Sequence, residues 1–194
     1  YYNLGNAYFR TGNITQAVIS YERANRISPG DKDINFNLKF ARNMTIDKIA
    51  HKSEMFFVTW YKSFVNLTSS NNWAKISIVL FLCTLLSLIL YIFGSRLWMI
   101  KTSFYFAVFG FICFIATAFL SWQQKQYSQC RDGAIITTPS VAVKKTPSSG
   151  SADEMLLHEG TRVDITDRNI KGWYGIRLSD GREGWLLINQ VEVI

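Results

Sequence analysis

The most reactive side chains in this sequence are a few thiols and imidazoles. Cys130 and His158 are the types that a nucleophilic thiol enzyme pairs, because a neighbouring base must activate the sulfur. Cys130, however, follows directly on a long apolar run, and nothing in the sequence around it would position a base. Cys83 and Cys113 lie inside apolar runs and Cys130 has no evident partner, so no disulfide framework is expected. The two histidines, His51 and His158, are more than 100 residues apart. A zinc site needs clustered nitrogen and sulfur ligands, and glycine-rich phosphate loops are missing as well. The sequence predicts no enzyme, no cofactor and no metal site.

The arrangement of charge then shows which elements carry the function. Of the 194 residues, 1–75 hold ten Lys/Arg and five Asp/Glu, and 125–194 hold nine of each. Residues 76–124 hold only Arg96 and Lys101. A stretch so poor in charge cannot be the surface of a soluble domain, so the chain divides into three parts. Residues 76–95 are 20 consecutive uncharged residues and 102–124 are 23. At about 1.5 Å of helical rise per residue, each spans roughly 30 Å, the hydrocarbon thickness of a bilayer. Trp73, Trp98 and Trp122 fall at the segment ends, where indoles favour the interface, with Arg96 and Lys101 as charged anchors. The expectation is a hairpin of two transmembrane helices, 74–95 and 102–124, joined by a short loop, 96–101. It leaves both flanking parts on one side of the membrane. Charge alone does not decide which side, because Lys62, Lys75, Lys125 and Arg131 balance the loop. With no Asp, Glu, Lys, Arg or His in the uncharged runs 76–95 and 102–124, the spans read as anchors and not as an ion path. The net charge of +7 lies beside and within this region, which favours lipid and topology over nucleic acid.

The N-terminal part has its own signature. Tyr1, Leu4, Gly5 and Tyr8 fit the opening W-x2-L-G-x2-Y of a tetratricopeptide repeat, Ala17 and Tyr21 fit A-x3-F, and Pro29 falls at the closing proline. Gly12 and Ala24 occupy further small-residue positions. Residues 1–42 therefore resemble one repeat with a capping helix, and about three residues of the repeat are expected upstream of Tyr1. Gly5, Ala17 and Ala24 would let two antiparallel helices approach while Tyr8 and Tyr21 fill the gap. Between 43 and 73 lies an aromatic, almost uncharged segment too short to span. Its Phe57, Trp60, Tyr61, Phe64 and Val65 make a helical apolar stripe. With Lys52 and Lys62 nearby, the stripe could lie along the bilayer surface or pack on the repeat helices.

After a linker, 125–133, the pattern becomes one of short strands. Val141–Val143, Arg162–Ile165, Trp173–Leu178 and Gly184–Leu187 alternate with turns, and Asp180-Gly181 is a hairpin signal. The wording V-x-V-K, H-E-G-T-x-V, W-Y-x-I-x-L and D-G-R-x-G-W resembles a bacterial SH3 domain, a small all-β SH3-like barrel, over 134–194. It departs at the Lys144–Asp153 loop. Trp173, Tyr174 and Trp185 are the candidate ligand contacts, with core packing as the competing role.

This domain order is similar to the BatE-like family of the Bacteroidetes aerotolerance operon. The resemblance implies a non-enzymatic inner-membrane scaffold with both soluble parts periplasmic. Membrane lipid and Bat-type von Willebrand A-domain membrane proteins would be its partners. A second class of function is a wall tether that binds peptidoglycan through the SH3 domain. A third, weaker one is a sensor coupling Cys130 oxidation to the membrane.

Overall fold

The computed structural model describes residues 1–49, 55–129 and 132–194. His51, Lys52, Cys130 and Arg131 lie outside the described residues, and so does any role expected of them. The architecture is a helical N-terminal part, two long apolar helices and a C-terminal antiparallel all-β sheet, the layout that the sequence predicts. The chain forms two compact units, Tyr1–Trp60 with Cys130–Ile194, and Tyr61–Gln129.

In the first unit, helices α1 (Tyr2–Arg10), α2 (Ile14–Ile27) and α3 (Lys32–Arg42) follow one another with short turns. The turns hold the local causes. Gly12 takes a left-handed φ of 80° where α1 must stop. The Asn13 side chain accepts the Gln16 N–H at 3.1 Å to start α2, and Asp31 accepts the N–H groups of Asp33 and Ile34 to start α3. Seven strands follow: β1 (Gly133–Ile136), β2 (Ser140–Lys144), β3 (Asp153–His158), β4 (Arg162–Asp167), β5 (Trp173–Arg177), β6 (Glu183–Leu187) and β7 (Val191–Val193). Their order in the sheet is β3-β2-β6-β5-β4-β1-β7, all neighbours antiparallel. Ala134, Ile136, Val141, Val143, Leu157, Val163, Ile165, Ile176 and Leu186 share one core, so six strands close their inner faces over a single apolar centre. The β5–β6 hairpin turns at Gly181 with φ 97°, where Asp180 accepts the Arg182 N–H at 3.0 Å. That is the Asp-Gly turn read from the sequence.

The second unit is built on α5 (Ser70–Phe93) and α6 (Leu97–Gln129). Both are long and apolar enough to cross a membrane, each holding an 18-residue stretch with a mean hydropathy of 2.8 in α5 and 2.1 in α6. Their contact runs along Ser77, Thr84, Ser103 and Ala107, all buried, and at Gly110 an added Cβ would lie 2.7 Å from the Thr84 hydroxyl. Close helix approach through small residues is the usual packing where lipid removes the hydrophobic drive between helices. The Ser77 and Thr84 hydroxyls donate to carbonyls of their own helix, which lets them face the neighbour without an unsatisfied group.

Helix boundaries differ from the expected spans: α5 covers Ser70–Phe93 where the sequence predicts 74–95. The connection expected at 96–101 is shorter, because α6 already begins at Leu97, and α6 runs on through most of the expected linker to Gln129. Charges mark where a bilayer would end, whereas a helix ends where its hydrogen-bond ladder stops. Nothing between Leu97 and Lys101 breaks that ladder.

Candidate functional site

Tyr21 organises the N-terminal helices. Its ring is buried and lies against Gly5, where an added Cβ would sit 2.6 Å from the ring atoms. Its hydroxyl donates to Asn6 Oδ1 at 2.7 Å. Burial of the phenol, with Tyr2 alongside, pushes its pKa up, so it remains a donor. Ala17 and Ala24 are buried with it, Tyr8 and Pro29 are half-buried, and Gly5 is buried. Tyr1 and Leu4 lie on the open side of α1 and are exposed, because α2 and α3 pack on its other side.

Asn37 ties α3 to α1. Its amide donates to the Tyr2 hydroxyl at 3.0 Å and to Asn6 Oδ1 at 3.2 Å. Beside this polar link runs a row of rings. Phe9 and Phe40 meet at 5.6 Å, and Phe36 stacks on Phe40 at 6.4 Å with its plane nearly parallel. Phe36 is 69% exposed and Phe40 51%; the exposed Arg10 follows Phe9 and the exposed Lys39 precedes Phe40 in sequence. Two aromatic rings open to solvent on an ordered helix pair form a surface of the kind that binds another protein.

The opposite side of α2 is covered by the sheet. Ala17, Val18, Ile19, Tyr21, Leu38 and Ala41 share a second core with Ile135 of β1 and Ile194. Strand β1 is buried on both faces, with Ala134 and Ile136 in the sheet core and Ile135 against the helices. Polar contacts rim this core. Arg23 donates to Glu192 at 2.7 Å, and the buried Glu22 lies between Arg42 of α3 and Arg162 of β4, the latter at 3.7 Å. Thr15 donates to Glu159 at 3.0 Å. Asp47 Oδ2 accepts the His158 backbone N–H and the Thr161 hydroxyl, both at 2.7 Å, while Oδ1 lies 2.9 Å from His158 Nδ1. Burial would raise the Asp47 carboxyl, but the hydrogen bonds from His158 and Thr161 outweigh it and hold the pKa below the usual carboxylate value. Gly160 takes φ 81° between them, and an added Cβ there would lie 2.7 Å from the Thr45 methyl.

The H-E-G-T motif is thus where the sheet is clamped to the helices. Sequence reasoning used it only as a family marker and missed Asp47, Glu22 and Arg23 altogether. The available signal was Glu22, a charge among the apolar positions of α2.

The three ring residues proposed for the β part do not form one surface. Register pairs Trp173 with Leu187, Tyr174 with Leu186 and Gly175 with Trp185. Tyr174 therefore shares the inner side with Leu186 and packs on the sheet core, with the Arg168 guanidinium 5.8 Å above its ring. Trp173 and Trp185 share the outer side and are half-buried, Trp185 lying 3.3 Å from where a Gly175 Cβ would be. Of the membrane-interface anchors, Trp98, Trp122, Arg96 and Lys101 are exposed near the ends of the long helices. Trp73 is instead buried, donating from its indole to the Val65 carbonyl at 2.9 Å.

Residues 1–31 match the family model of the tetratricopeptide repeat. The N-terminal helices contain a tetratricopeptide repeat. Repeats of this kind serve protein–protein interaction, and the ring-lined face of α1 and α3 belongs to this repeat and its following helix. The chain is also similar to Rho guanine nucleotide exchange factor 5 of Mus musculus, 36% identical over 58 residues, or 29% of this chain. The chain spans 4% of that protein, so the match concerns one segment of it.

Proposed function

We propose that this protein is a non-enzymatic, membrane-anchored scaffold that holds a protein partner on the Phe9–Phe40–Phe36 face of its repeat. The exposed, ordered ring row carries this reading. Support for the anchor comes from α5 and α6, of which only 11% is buried in each apolar window. The core helix of a soluble protein would be mostly buried, and these faces need lipid. The resemblance of the domain order to the BatE-like family supports a bacterial inner membrane, a periplasmic position for the repeat and sheet, and a von Willebrand A-domain membrane protein as partner. The test is co-purification of that partner with the tagged full chain from detergent-solubilised membranes. Phe36→Asp with Phe40→Asp should reduce recovery at least about tenfold, as loss of aromatic anchors does, with an unchanged circular dichroism spectrum. Undiminished recovery would remove the scaffold reading in this form.

A second reading rests on Trp173 and Trp185, which the β5–β6 register leaves on the outer side of the sheet. Resemblance of this part to a bacterial SH3 domain makes a peptidoglycan tether the alternative function. The full chain in detergent should then co-sediment saturably with insoluble peptidoglycan, and Trp173→Ala should abolish it. Tyr174→Ala would instead disturb the core. Failure of the wild-type chain to sediment would discard the tether.

A further inference from the structure

Helix α4 (Phe56–Val65) packs five aromatic residues into ten positions. At about 100° per residue, Thr59, Lys62 and Ser63 share one narrow side, and Phe56, Phe57, Trp60, Tyr61 and Phe64 spread over the rest. Phe56 is 82% exposed, Trp60 is 66% exposed, and Phe57, Tyr61 and Phe64 are exposed too. At about 15 Å the helix is too short to cross a bilayer.

The end of α4 is bolted to one end of the long hairpin. The Trp73 indole lies tilted against Phe64 at 5.7 Å and donates to the Val65 carbonyl. The Tyr61 hydroxyl reaches Gln123 at 2.5 Å. The Gln124 amide donates to the Thr68 carbonyl at 2.8 Å, and the Ser121 hydroxyl to the Ser70 carbonyl at 2.9 Å. These amides and hydroxyls collect at the end away from the 94–96 turn, where the apolar surface of α5 and α6 gives way to polar groups. In a bilayer that level is the headgroup boundary.

We infer that α4 is an interfacial membrane helix, its rings inserted into the lipid leaflet at the acyl–headgroup boundary and its Thr59–Lys62–Ser63 side in water. The occupant of its apolar face is phospholipid. This rests on the reading of α5 and α6 as membrane spans, to whose end Tyr61, Phe64 and Val65 of α4 are tied. Such helices sit about 5–10 Å into the boundary and gain from each ring buried there.

The test uses the full chain with Cys83, Cys113 and Cys130 replaced by Ser, reconstituted in phosphatidylethanolamine–phosphatidylglycerol vesicles. A nitroxide is attached at a single cysteine replacing Phe57, Trp60, Ser63 or Leu86 of α5, and collisions with oxygen and with a water-soluble nickel chelate are measured. Oxygen should be favoured severalfold at 57 and 60 relative to 63, and most at 86. Equal nickel access at 57, 60 and 63 with a deep 86 would overturn the inference and leave the spans standing. Positions 57 and 60 shielded from both reagents would mean a protein contact, and would overturn it too. Nickel access at 86 would refute the spans themselves, and the interfacial helix with them.

Discussion

Ile135→Asp is expected to pull the sheet off the helices, loosening the helices while the sheet keeps its own core. Ile135 is fully buried, on the face of β1 turned to Ala17, Val18 and Ile19, and not in the core within the sheet. The change forfeits about 1.5–3 kcal/mol of side-chain burial and leaves a carboxylate in an apolar contact, which costs several kcal/mol more. The sum, on the order of 5 kcal/mol, rivals the whole stability of a small domain. Amide hydrogen exchange on the full chain in detergent is the measurement. Amides of α2 should lose protection by orders of magnitude, while those of Val141, Val143 and Ile176 keep theirs. Equal loss in both places would mean that sheet and helices unfold as one and that the docked core is not separable. Leu156→Asp, on the edge strand β3 and exposed, should change stability by no more than about 0.5 kcal/mol.

Asp47→Asn should be the next largest effect, and its signature is a pH dependence. The carboxylate accepts from the His158 backbone, lies against the His158 ring and accepts from Thr161. Weakening bonds to a charged acceptor costs about 1.5–3 kcal/mol. Its folded pKa lies below the reference value of 3.8. The stabilisation is therefore complete above the unfolded pKa and is lost as pH falls from about 4 through the lower folded value. Asp180, held low by Arg182, adds an acid limb of the same sign at the β5–β6 turn. The comparison of interest is thus wild type minus variant. Melting of the full chain in detergent at several pH values should show a gap that is constant above about pH 5 and narrows below about pH 4. A gap that stays constant through the acid range would show that the Asp47 charge does not hold the clamp.

What could be read from the sequence, and what could not, divides by the range of the interactions. The repeat spacing from Tyr1 to Pro29, the Asp-Gly turn and the two uncharged runs are local signals, because each records chemistry along a short stretch of chain. Residue type also marked Trp173, Tyr174 and Trp185 as candidate contacts. It could not separate them, since the side of a strand that each takes depends on pairing with Leu186 and Trp185 across the hairpin. Trp73 looked like an interface anchor for the same reason: an indole at the end of an apolar run has one local appearance, whether it meets lipid or a neighbouring turn.

By itself, then, the sequence determined the three kinds of structure and their order: helices of a repeat, two apolar helices, an antiparallel sheet. Periodicity and charge act along the chain, and these classes follow from them. Only the tertiary structure decided that the repeat and the sheet share a core through Ile135 and Ile194, and that Asp47 clamps His158 and Thr161 across 111 and 114 positions of sequence. No local pattern announces such a contact. Its partners are ordinary Ile, Asp and Glu residues, and their roles exist only once burial withdraws them from water.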